Sequence, residues 1–163
     1  QEFHNQLLSN RNGVSLERID SERETNDKNN WHSAATSAGF ATPTYQNSQY
    51  SAATSSPDDF FSISNNTLSP DGDGFEDFLL IDYKTPQPGF IANIRIFDTK
   101  GRIIKTLINN ELLASEGIFK WDGDMDDGRK SRIGIYIVWI EYFNPDGVVK
   151  HLKKTCVVAG RLN

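Results

Sequence analysis

The sequence predicts an all-β protein whose larger part, residues 59–163, is an antiparallel β-sandwich. Three observations lead there. From Phe60 onward apolar and polar residues alternate in short runs, the period of a strand with one buried face. Turn-forming residues break these runs every 8–15 positions. No run in this part sustains a helical period. About seven short strands in about 100 residues is the immunoglobulin-like version of that architecture.

Ahead of the sandwich, residues 1–42 are polar and rich in Asn, Arg and Glu, with one strand candidate, GVSLERI at 13–19. There Val14, Leu16 and the aliphatic stem of Arg18 alternate against Ser15 and Glu17. In TNDKNNWHSAATSAGFATP, which follows, Trp31, Phe40 and Pro43 are islands among small and polar residues, too little apolar surface for a separate core. Residues 43–58, PTYQNSQYSAATSSPD, have the Ser, Thr, Gln and Pro content of a linker. The expected organisation is a first unit at 1–42, a linker at 43–58 and the sandwich at 59–163.

Within the sandwich, strands are predicted at FFSIS (60–64), DFLLIDYK (77–84), FIANIRIFD (90–98), IIKTLI (103–108), GIFKWDG (117–123), GIYIVWIEYF (134–143) and VVKHLKKTCVVA (148–159). TPQPG, DTKGR, DGDMDDGRK and NPDG between them supply preset or left-handed backbone where a turn needs it. NNELLASEG is expected as one short turn. In FIANIRIF, Ala92, Ile94 and Ile96 alternate with Asn93 and Arg95, which suits a sheet with one wet face. GIYIVWIEYF is apolar on both parities up to Glu141, which predicts a central strand covered on both sides. Trp121, Trp139, Tyr136 and Tyr142 are expected to fill the core, with a sugar-stacking platform as the alternative.

Bulk properties close off several classes. With 37% hydrophobic and 11% aromatic residues the chain can build a core, and wholesale disorder is excluded. Mean hydropathy is -0.54 and no apolar run is long enough to span a bilayer. Net charge is -5 with scattered basic residues, so the electrostatic footprint of a nucleic-acid binder is missing. Cys156 is the single cysteine, which rules out an intrachain disulfide and a multi-cysteine metal site; its neighbours TCVVA mark it as a buried strand thiol. His4, His32 and His151 fall in different zones without zinc spacing. Ser33 and Ser37 have no nucleophile motif around them.

One stretch carries chemistry. Asp71-Gly72-Asp73-Gly74-Phe75-Glu76-Asp77 offers four carboxylates on a loop whose glycines let it curl, and calcium prefers such flexible oxygen-rich sites. The candidate calcium ligands are Asp71, Asp73, Glu76 and Asp77. The other reading is an Asx and Gly turn whose acids face water. An EF-hand is excluded, because position twelve would be Asp82 and not Glu. Asp122-Gly123-Asp124-Met125-Asp126-Asp127-Gly128 imitates a calcium loop more weakly; with Arg129 and Lys130 beside it, it reads as a self-neutralised turn. Lys150, Lys153 and Lys154 fit an edge strand guarded against pairing, or a feature recognised by an export machine.

The order SPDGDGFEDFLLIDY, ANIRIFDTKGRIIKTL, GIFKWDGDMDDGRKSRIGIYIVWIEY and HLKKTCVVA resembles the Ig-like domain of flagellar hook-capping proteins. It is also similar to the C-terminal Ig-like modules of type IX-secreted bacterial surface proteins, with Asp71 where Asn is commoner. GVSLERID and TNDKNNWHSAATSAGFATPTYQNS resemble the closing portion of a bacterial lamin-tail domain, with Thr44 where Gly is usual. The resemblances imply a non-enzymatic C-terminal region of an exported Gram-negative surface protein, serving display, adhesion or export; calcium on the acidic loop would stiffen it. Its implied partners are secretion or cell-surface machinery and neighbouring domains of a longer parent protein. An accessory sugar- or protein-binding module beside an upstream enzyme is the alternative. A partial lamin-tail domain leaves its core open, so residues 1–50 are expected to pack on the sandwich, pair with another chain or be poorly ordered.

Overall fold

A computed structural model describes residues 3–8, 10–50 and 60–160. Its strands are β1 (Leu16–Arg18), β2 (Trp31–Ser33), β3 (Phe61–Ile63), β4 (Thr67–Leu68), β5 (Leu79–Lys84), β6 (Ile91–Asp98), β7 (Ile103–Leu112), β8 (Glu116–Trp121), β9 (Gly134–Phe143) and β10 (Val149–Val158). β1 and β2 form a separate ribbon, and single 3-10 turns sit at Lys28–Asn30 and Thr36–Ala38. A five-stranded sheet in the order β4-β10-β9-β6-β7 faces a three-stranded sheet in the order β3-β5-β8. The pairs are antiparallel except β4 with β10, which runs parallel at Val157 and Val158.

Period-two patterning places the core. Leu79, Ile81 and Tyr83 of β5 point at Ala92, Ile94 and Ile96 of β6 and at Tyr136, Val138, Ile140 and Tyr142 of β9. Burying each of the larger of these side chains contributes about 1.5–3 kcal/mol. Phe60, Phe61, Phe90 and Tyr142 form a ring cluster with centroids 4.5–6.0 Å apart. Trp121 is fully buried, and its Nε1 donates to the Asp124 carbonyl at 2.8 Å.

The turns follow their residues. Asp98 Oδ1 accepts from the Lys100 and Arg102 amides, and Asn144 Oδ1 accepts from the Val148 amide. NNELLASEG departs from expectation, since β7 continues through it to Leu112. The strand survives because Asn110, at φ 51°, forms a bulge whose amide donates to the buried Asn93 Oδ1 at 2.7 Å. Two strands had no clear signal in the sequence: β2, and the two-residue β4, whose pairing partner lies about ninety positions away.

Two other expectations are corrected. On β1 the alternation is inverted: Glu17 is buried while Leu16 and Arg18 are half-buried. Its carboxylate accepts from the Thr42 and Ser48 hydroxyls and the Gln49 amide, so it anchors the 40–49 loop. On β9 only the parity of Tyr136 to Tyr142 is covered; Ile135 is 54% exposed and Trp139 half-buried.

Residues before the sandwich pack against it. Asn5 Nδ2 donates to the Gly89 carbonyl, the Leu112 amide to Thr36 Oγ1, the Ser115 amide to the Ser48 carbonyl, and Gln49 Nε2 to the Leu113 carbonyl. Ile91 and Leu112 are thereby buried although they lie outside the main core cluster. Of the stretch expected as linker, residues 51–58 fall outside the described part, and Gln49 is fully buried.

Candidate functional site

The acidic loop joins β4 to β5. The Ser69 amide donates to the Glu76 carbonyl at 2.8 Å and closes it. Gly72 and Gly74 take φ of 78° and 90°, values that favour glycine and let the chain curl inward. Asp77 is the hub: Oδ1 accepts from the Gly72 amide at 2.7 Å and Oδ2 from the Gly74 amide at 2.8 Å. Asp73 Oδ1 accepts from Phe75 and Asp71 Oδ1 from Asp73.

Asp71, Asp73 and Asp77 each present a carboxylate oxygen within 4.8 Å of the others, and this is the one such acidic group among the described residues. Glu76 does not join them; its residue takes φ 54° at the exit of the loop. Amide donors order these carboxylates, yet each oxygen keeps a lone pair for a further partner. The arrangement is that of a self-capped turn with three convergent acids. Asp71 and Asp73 are exposed and Asp77 half-buried.

The second acidic stretch diverges. Asp122 pairs with Lys130 Nζ at 2.9 Å, Asp124 with Lys105, and Asp127 with Arg129, while Asp126 accepts the Thr106 amide. The Lys130 hydrogen bond holds the Asp122 carboxyl down at about 2. Arg129 lowers Asp127, and the Asp124 carboxylate raises Lys105. Four acids with four separate partners make a hairpin that docks onto β7.

Cys156 is fully buried, and burial pushes its thiol up to about 11, so it is an inert core group. Ser33 and His4, distant in sequence, meet at 3.1 Å. Ser33 Oγ also accepts from the Asn5 amide and is fully buried, so the pair ties residues 4–5 to β2 and presents no nucleophile to solvent. Trp139, unlike Trp121, Tyr136 and Tyr142, stands on the outer face of the large sheet. Arg95 of β6 lies 5.7 Å from its ring and His151 of β10 stacks at 5.4 Å and 17°. Because β6 and β10 flank β9, both ring faces are taken, and a sugar has no free face to stack on. The lysines of β10 are at the sheet edge: beyond β9, only β4 among the described residues pairs with this strand, at its last two residues.

Comparison with known proteins gives three results. The family model described as CHU_C Type IX secretion signal domain matches residues 61–157. Those bounds run from the first residue of β3 to one residue short of the end of β10. A comparison with curated proteins found no match. Solved structures with similarity include CopC from Methylosinus trichosporium OB3b, at 16% identity and TM-score 0.37, covering 53% of this chain and 79% of that one. They include PorZ, a bacterial surface component of the type IX secretion system of Porphyromonas gingivalis, at 25% identity and TM-score 0.40, covering 61% of this chain and 11% of that one. FlgD from P. aeruginosa follows at 17% identity and TM-score 0.41, covering 58% and 70%.

Proposed function

From the premise that the chain belongs to the CHU_C type IX secretion signal domain family, we propose that residues 59–163 are the export and display module of a longer surface protein. Proteins of this family are secreted or held at the cell surface of Gram-negative bacteria of the Bacteroidetes type, and this chain shares that destination. Its partner on that route is the type IX machinery. The observation that carries the proposal is the extent of the match, which takes in both sheets of the sandwich and not a short peptide. The whole folded domain is then what the export machinery recognises. Residues 1–42 are proposed as the end of a lamin-tail domain that the module follows. The test is a reporter fused to residues 59–163, expressed in a type IX-competent cell. Surface or medium delivery is the expected result; retention in the periplasm overturns the reading.

The acidic loop is proposed as a calcium clip within this module, held by Asp71, Asp73 and Asp77, with display and adhesion as the parent protein's task. Support comes from three carboxylates within 4.8 Å of one another on a loop that precedes β5. Calcium at a hundredfold excess over its dissociation constant adds about 2.7 kcal/mol to stability. A melting temperature that rises with calcium, falls with chelator, and ignores both in Asp77→Asn is expected. A chelator-insensitive wild-type transition leaves the loop as a self-capped turn.

A further inference from the structure

Among the described residues, β10 is a long strand with an open side. Its antiparallel partner β9 covers one side from Val149 to Val158, whereas β4 covers the other only at Val157 and Val158. Backbone alternation tells which groups face the gap. The Val157 amide donates to the Asn66 carbonyl, on the β4 side. In an antiparallel strand every second residue points the same way, so the N–H and C=O groups of Thr155, Lys153, His151 and Val149 face that side too. No described strand meets them there.

We infer that this edge accepts an acidic extended segment of a partner protein as an added strand. The occupant follows from the flanking charges. Lys153 and His151 stand on the outer face and Lys154 on the opposite one, all exposed, in a chain whose net charge is -5. A second copy of the same edge would set lysine against lysine, which disfavours self-pairing. A strand bearing Glu or Asp completes the ladder and pairs its carboxylates with Lys153 and Lys154, main-chain bonds supplying affinity and charge supplying choice. β4, seated on the same edge, shows that β10 takes a neighbour there. The proposal is independent of the export reading, since peptide addition is measured on the purified chain whether or not a reporter is exported.

The test uses the whole chain and a dye-labelled, end-blocked peptide of alternating threonine and glutamate, followed by fluorescence anisotropy. A threonine–lysine peptide is the control. The acidic peptide should bind about tenfold more tightly at low salt, the worth of two exposed ion pairs, and the gap should close as salt rises. Lys153→Pro removes an edge-facing donor without breaking the β9 ladder, so it should abolish binding while the far-ultraviolet circular dichroism is kept. If that variant misfolds, the pair Lys153→Glu and Lys154→Glu replaces it and should reverse the preference between peptides. Equal affinity for both peptides, binding that survives Lys153→Pro in a folded chain, or a preference unmoved by charge reversal overturns the proposal. So does a dimer of the chain that Lys153→Pro dissolves, because the occupant is then a second copy.

Discussion

Gly117 sits directly across from Tyr83 in the β5–β8 ladder, and the tyrosine ring lies over it. A Cβ at Gly117 would stand 2.5 Å from Tyr83 Oη and 2.7 Å from Cζ. The ring has little room to retreat, because Phe119 stacks on it at 5.3 Å and Phe61 packs against it at a tilt, 5.6 Å between centroids. Gly117→Ala is therefore expected to destabilise the fold by about 1–3 kcal/mol, read by urea unfolding, and Tyr83→Leu should recover part of that loss. Such pairings are invisible in a linear sequence, as they depend on register. Cys156 was legible, since TCVVA is a strand pattern that buries it. Glu17 was not, because a carboxylate in an alternating run reads as solvent-facing until Thr42, Ser48 and Gln49 are seen to surround it.

At the scale of elements, alternation and turn chemistry placed the strands of the sandwich with end errors of a few residues, and failed where pairing overrides local preference. β7 outlasted its expected end because Asn93 reaches across to the Asn110 bulge. β4 exists only because β10 passes beside it. β9 shows the same limit in another form. Its two faces have similar hydrophobicity in sequence, but one looks into the core and the other outward. Trp121→Ala should thus cost about 3–5 kcal/mol, including the lost bond to the Asp124 carbonyl, whereas Trp139→Ala should cost about 1 kcal/mol or less. Denaturant titrations of the two variants check the contrast; similar losses would mean that the outer face of β9 is covered in solution.

The molecule as a whole is more than the matched domain. Residues 3–50 reach Gly89, Leu112, Leu113 and Ser115, and the His32 ring lies beside Gly89. Its Cε1 lies only 2.8 Å from where a Cβ on Gly89 would be, so the approach requires glycine. Burial holds the His32 imidazole below its ordinary value, with Asp146 pulling the other way. A depressed histidine favours the neutral form in the folded chain, so the unfolded chain takes up the proton first. Folding stability should be full above about pH 6.5 and decline as pH falls below it, levelling once folded His32 is protonated as well. Unfolding free energies measured between neutral and mildly acidic pH should show that slope, and His32→Asn should flatten it.

By itself the sequence determined the architecture, the acidic loop and the family resemblance. Side-chain period and turn residues are local properties, and local properties survive in one dimension. Tertiary structure alone decided which face of β9 is dry, that Asp71, Asp73 and Asp77 converge without Glu76, and that residues before the sandwich lean on it. It also decided that, among the described residues, β10 keeps an open edge. Each of these depends on which distant segment lies alongside, a matter of three-dimensional register that no window of neighbouring residues encodes.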